Sequence, residues 1–235
     1  MTQTVPTRHP QTEPGSGLAR QISKMAISKF IARQSAKPNG LFGRLIFGRL
    51  LNRANTSVNQ LVYDSLAHDA KSRLLEIGFG GGDLLFRIAR SLAGGRVDGV
   101  DVSAEMLAKA RGKVARMGLE DTVKLQLGSV DSLPFAEATF DCACSVHTIY
   151  FWPDLIAGLR ELARVIKPGG RLVLGFSSGA DLIEDGYTDR GFRAYSRQQL
   201  AEACLACGFV TDGLATTGRK RGGRIYVYSG TRKCD

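Results

Sequence analysis

The stretch Leu74-Leu75-Glu76-Ile77-Gly78-Phe79-Gly80-Gly81-Gly82-Asp83 decides the fold. A short apolar run ends in a carboxylate and then turns through glycines. The next run, Leu84-Leu85-Phe86-Arg87-Ile88-Ala89, reads as the opening of a helix. Strand, tight turn and helix make the geometry of a nucleotide-type ligand site. Glycines suit such a turn because side chains would collide with a ligand lying against the backbone. A dinucleotide fits poorly. Its fingerprint needs glycine or alanine at the sixth position, which counted from Gly78 is Asp83. A buried carboxylate at Glu76 would also repel a pyrophosphate, whereas it would attract an ammonium or a sulfonium.

Further stretches follow in order. Val97-Asp98-Gly99-Val100-Asp101 is a second strand ending in an acid. Leu127-Gly128-Ser129-Val130-Asp131 closes a third. Phe140-Asp141-Cys142-Ala143-Cys144-Ser145-Val146-His147 is a fourth, and Lys167-Pro168-Gly169-Gly170 turns into a fifth. On these motifs the chain resembles the class I S-adenosylmethionine-dependent methyltransferases. Within them it is most similar to the ubiquinone/menaquinone-biosynthesis and type 11 branch, over roughly residues 60–235.

The resemblance implies S-adenosylmethionine as cofactor and S-adenosylhomocysteine as product. It implies a cofactor site built from Glu76, Gly78, Phe79, Gly80, Gly82, Asp101, Val102, Met106, Ser129, Val130, Asp131 and Ser145. Asp101 would bind both ribose hydroxyls, because a carboxylate can accept two hydrogen bonds from a vicinal diol. Val102 and Met106 would pack on the adenine. The family commonly reads Gly-Asp-Ala where this chain has Gly128-Ser129-Val130, so the adenine contact falls to Ser129 or to Asp131.

His147, Tyr150, Phe151 and Trp152 lie just past the fourth strand, where the family lines the methyl and its acceptor. His147 reads either as a proton acceptor, with Tyr150 beside it, or as a packed ring in the pocket wall. The insert at about 177–195, with Tyr187, Phe192 and Tyr195, reads as a loop over the acceptor or as plain surface. Cys204-x-x-Cys207 in a helical pattern and Cys142 with Cys144 on one strand face read as core packing, and no metal site is expected. Arg219, Lys220, Arg221 and Arg224 form a solvated hairpin or a phosphate contact.

The 235 residues suit one principal domain with an appendage. Residues 1–17 read as a disordered tail, not a signal peptide, so the cysteines are expected as thiols and the chain as cytoplasmic. Residues 1–60 hold nine Lys/Arg against the single acid Glu13, a net of +8, while the rest carries 23 bases against 21 acids. Residues 18–60 therefore read as a basic helical arm. Its helices at 18–34 and 41–53 would cover the acceptor site or lie on an anionic membrane, peripheral to its inner face.

From about residue 61 onward, strands are expected near 73–77, 96–101, 122–127, 140–146, 170–176, 209–216 and 224–229. Helices fill the gaps near 83–93, 103–117, 154–166 and 196–207. The expected fold is α/β: a Rossmann-like, seven-stranded, mostly parallel sheet with helices on both faces and a terminal antiparallel hairpin. The expected activity is methyl transfer to a small hydrophobic or lipid-like acceptor. Nucleic acid ranks lower, since no Asn/Asp-Pro-Pro-Tyr/Phe signature follows the fourth strand. A noncatalytic cofactor-binding or membrane-adaptor protein is the alternative.

Overall fold

The computed structural model describes residues 56–218 and 224–234. The tail at 1–17, the helices expected at 18–34 and 41–53, and the cluster Arg219-Lys220-Arg221 lie outside these residues.

The described chain runs α1 (Thr56–Leu66), β1 (Arg73–Ile77), α2 (Asp83–Ser91), β2 (Arg96–Asp101), α3 (Ala104–Met117), β3 (Val123–Leu127) and β4 (Phe140–Val146). It continues through α4 (Leu155–Val165), β5 (Ile166–Ser177), α5 (Gly179–Glu184), α6 (Arg197–Ala206), β6 (Phe209–Gly218) and β7 (Arg224–Arg232). The seven strands form one sheet in the order β3-β2-β1-β4-β5-β7-β6. Strands β1 to β5 pair in parallel, and β7 runs antiparallel between β5 and β6. Among the described residues, no helix is long and apolar enough to cross a membrane.

The period-two alternation of strand side chains divides the core. Leu74, Cys142, Cys144 and Val173 face one layer, with Val58, Val62, Leu84, Leu85, Leu107 and Val114 of α1, α2 and α3. Leu75, Ile77, Leu172 and Leu174 face the other, with Leu159, Leu162, Leu200 and Cys204 of α4 and α6. Both faces of the central strands are thus covered, as a parallel sheet requires. Caps fix the helix starts: Ser103, Asp154 and Ser196 accept from the first turns of α3, α4 and α6.

Two elements depart from the sequence reading. Strand β5 starts at Ile166, and Lys167 to Gly170 form an irregularity between the pairs Phe140↔Ile166 and Cys142↔Arg171. The insert after β5 contains α5 and a short 3-10 turn at Thr188–Arg190. Each is too short to carry a helical hydrophobic period.

Candidate functional site

The C-terminal ends of β1, β2, β3 and β4 carry the expected site residues. The turn after β1 holds Gly78, Gly80 and Gly82 at φ of 71°, 47° and 79°, a region costly for side-chain-bearing residues. Gly78 also has a packing reason. A Cβ there would stand 2.4 Å from Thr148 Cγ2. At Gly80 a Cβ would meet nothing within 4 Å, so the backbone faces open space.

Asp101, at the end of β2, ties the turn to the sheet. Its Oδ2 accepts from Gly80 N–H at 2.9 Å, and its Oδ1 from Ser103 N–H at 2.9 Å. Burial raises its carboxyl above the ordinary value, while these two backbone donors pull it back. Each oxygen keeps a lone pair for another donor.

Glu76 is 3% exposed, and its Oε2 has no hydrogen-bond partner. Burial pushes its carboxyl up to about 8, with the like charges of Asp101 and Asp83 adding to the effect. A buried acid without a partner costs free energy, and a cation placed beside it would offset that cost.

Around this centre, Val102 is 71% exposed at the rim, and Leu127, paired with Asp101, is 53% exposed. Phe79 is buried and packs in the same layer as Met106. Ser129 and Asp131 sit half-buried in a turn closed by Ser132 N–H donating to Ser129 O at 3.2 Å. Val130 is buried in the opposite core layer.

Ser145, expected beside the cofactor, has its hydroxyl engaged in the fold. Ser145 Oγ donates to Ile77 O at 2.8 Å, and Trp152 Nε1 donates to Thr148 Oγ1 at 2.9 Å. Thr148 Oγ1 also bonds Ser145 Oγ, so the hydroxyls run in one direction from Trp152 to β1.

His147 adopts φ of 56°, held by its N–H donating to Gly175 O at 2.8 Å. Its Nδ1 lies 3.2 Å from Tyr150 Oη, which accepts from Ser177 N–H. The ring stacks on Tyr150, and Phe192 packs against Tyr150, Phe151 and Tyr187. Arg193 fastens the insert here, donating to Trp152 O at 2.6 Å and to Pro153 O. The insert and the β4 segment are therefore in contact.

Sequence reasoning missed three supports: Thr148 against Gly78, Asn59 Nδ2 donating to Asp83 Oδ2 at 2.9 Å, and Lys113 Nζ donating to Gly81 O at 2.7 Å. Asn59 had a signal, a polar residue on the apolar face of α1. The other two had none, since their partners are set by the tertiary fold.

Cys142, Cys144, Cys204 and Cys207 are buried free thiols. Burial pushes Cys142 up to about 11 and Cys204 to about 12, so they are protonated packing groups. Among the described residues, no cluster of three His, Cys, Asp or Glu side chains is placed to hold a metal.

A family model described as a methyltransferase domain matches residues 75–174, which run from the glycine turn through β5. This stretch is thus a methyltransferase domain, and the match supports a class I S-adenosylmethionine-dependent methyltransferase. Methyltransferase GfsG of Streptomyces halstedii is 34% identical over 139 residues, covering 59% of this chain and 48% of that protein. The ubiquinone/menaquinone biosynthesis C-methyltransferase UbiE of Marinomonas sp. is 35% identical over 123 residues, covering 51% and 49%. The chain thus spans about half the length of these curated relatives. Two solved structures share the fold. The [4+2]-cyclase SpnF aligns with a TM-score of 0.69 at 20% identity, covering 78% of this chain and 83% of that one. Geranyl diphosphate C-methyltransferase from Streptomyces coelicolor aligns with a TM-score of 0.67 at 17% identity, covering 77% and 80%.

The residues present fit S-adenosylmethionine. The unpartnered Glu76 Oε2 suits its ammonium, and the open space at Gly80 admits a ligand against the backbone. Gly82 gives α2 no side-chain cap, which leaves backbone donors for a carboxylate.

Proposed function

We propose that this protein transfers a methyl group from S-adenosylmethionine to a small hydrophobic or lipid-like molecule. The observation that carries the proposal is the pairing of Glu76, buried with an unpartnered oxygen, with Asp101, which is bonded to the glycine turn. Asp101 holds the ribose diol and Glu76 holds the ammonium. Val102 and Met106 cover the adenine, and Ser129 or Asp131 bonds its edge.

When bound, the cofactor supplies a methyl on a sulfonium, whose sulfur leaves as a neutral thioether. The chain's task is then alignment and exclusion of water, which can contribute roughly 7–11 kcal/mol to such a reaction. The rings of Tyr150, Phe151, Phe192 and Tyr187 wall the acceptor site. His147, with Tyr150 at 3.2 Å, takes the proton released by an acceptor that must lose one. The names of a quinone-biosynthesis relative and of the fold neighbour that methylates geranyl diphosphate, a hydrocarbon chain on a charged diphosphate, support a small acceptor with an apolar part. The excess of Lys and Arg over residues 18–53 supports a peripheral contact with an anionic membrane surface on its cytoplasmic side.

A second reading has a specific observation behind it. The fold is shared with a cyclase, so the fold does not by itself guarantee methyl transfer. Methyl-labelled S-adenosylmethionine, the purified protein and an extract of the source cells separate the two. Label entering the organic-soluble fraction, and absent with Asp101→Ala, supports the proposal. Measurable cofactor binding without label in any fraction favours the second reading.

A further inference from the structure

Asn59 lies outside every motif read from the sequence, yet it is only 6% exposed. It sits on the face of α1 that also buries Val58, Val62 and Leu66. A carboxamide on such a face costs free energy unless it is hydrogen-bonded. Asn59 Nδ2 meets this need by donating to Asp83 Oδ2 at 2.9 Å. Asp83 opens α2 directly after Gly82, and its charge is felt at Glu76. From the other side, Lys113 of α3 donates to Gly81 O at 2.7 Å and also feels the charge of Asp83. The glycine turn is therefore gripped from two helices, and Asp83 stands between them.

We propose that Asn59 is a positioning residue for the cofactor: it fixes the Asp83 carboxylate where α2 leaves the glycine turn, so that a second negative charge besides Glu76 acts on the ammonium. The inference rests on the cofactor reading given above. Asp83 is an exposed residue at a helix opening, where a free side chain samples several rotamers. A charge already fixed loses no further conformational freedom when the cation arrives, so it contributes more to binding. The same bond joins α1 to the cofactor turn.

Two ligands that share the adenosine test this on the full chain. S-adenosylhomocysteine carries the ammonium, and 5′-methylthioadenosine lacks it. Asn59→Ala and Asp83→Asn should each weaken S-adenosylhomocysteine by roughly three- to tenfold. Both should leave 5′-methylthioadenosine essentially unchanged, and the double variant should be no worse than either single one. Asp83→Asn changes an exposed side chain, so it tests the charge even if Asn59→Ala disturbs the core. Equal weakening of both ligands, or of neither, overturns the inference. If S-adenosylhomocysteine does not bind the unaltered chain, the cofactor reading falls and takes this inference with it. If it binds the unaltered chain and both variants alike, only the inference falls.

Discussion

The two ends of the sheet treat their acids in opposite ways. At the C-terminal end of the parallel strands, Glu76, Asp83 and Asp101 crowd together, and burial with like charge drives Glu76 up. At the N-terminal end, Asp98 sits between Arg73 at 3.3 Å and Arg96 at 3.0 Å. Asp141 there accepts from Arg73 N–H at 2.7 Å and pairs with Lys167 at 2.6 Å. Burial would raise the Asp141 carboxyl, but these donors bring it below its ordinary value. A cavity of about 420 Å³ opens at this second end. Asp141, Cys142, Lys167 and Arg171, which line it, are already bonded to their neighbours. The difference separates ligand chemistry from stability. One end leaves an acid incomplete until a cation arrives, and the other pairs its acids within the fold.

The largest break in this contrast should come from Asp101→Ala. It removes the ribose acceptor and the anchor of Gly80, and should weaken S-adenosylhomocysteine by roughly a hundredfold or more in titration calorimetry. Next is Gly78→Ala, whose Cβ would fall 2.4 Å from Thr148 Cγ2 at a positive φ. It should cost about 1–3 kcal/mol in chemical denaturation. Thr148→Ser removes that methyl while keeping the hydroxyl chain, and should restore part of the loss.

Such contacts mark where sequence reading runs out. The glycine turn, the acid ending β2 and the strand alternation were legible because spacing and residue type carry them. The sheet and its hairpin came out as expected, with helix ends shifted by one or two residues. Thr148 under Gly78 and Lys113 on Gly81 were not legible, since each joins elements brought together only by the fold. The role of Ser145 was hidden for the same reason, because its acceptor lies on a neighbouring strand.

A pH series sharpens the comparison. Folded Glu76 keeps its proton up to about 8, whereas the unfolded chain loses it near 4.5. Without ligand, the fold therefore loses stability as pH rises between those values. A cationic ligand favours the ionised form, so affinity for S-adenosylhomocysteine should rise toward about pH 8 and then level, by at most about tenfold per pH unit. Glu76→Gln should flatten that rise, weaken binding and raise the melting temperature of the free protein at pH 8.

The smallest effect on binding should come from the other end. Asp98→Asn should lower stability by about 1–3 kcal/mol, discounted because both arginines are partly exposed. It should leave the dissociation constant of S-adenosylhomocysteine unchanged. A large loss of affinity would mean that the two ends are not independent.

The most direct test of the central claim is calorimetric titration of S-adenosylhomocysteine at pH 7, repeated in two buffers of different ionisation enthalpy. Binding should release close to one proton from the unaltered chain and almost none from Glu76→Gln. Binding with no proton release from the unaltered chain, or the same release from both, would contradict it.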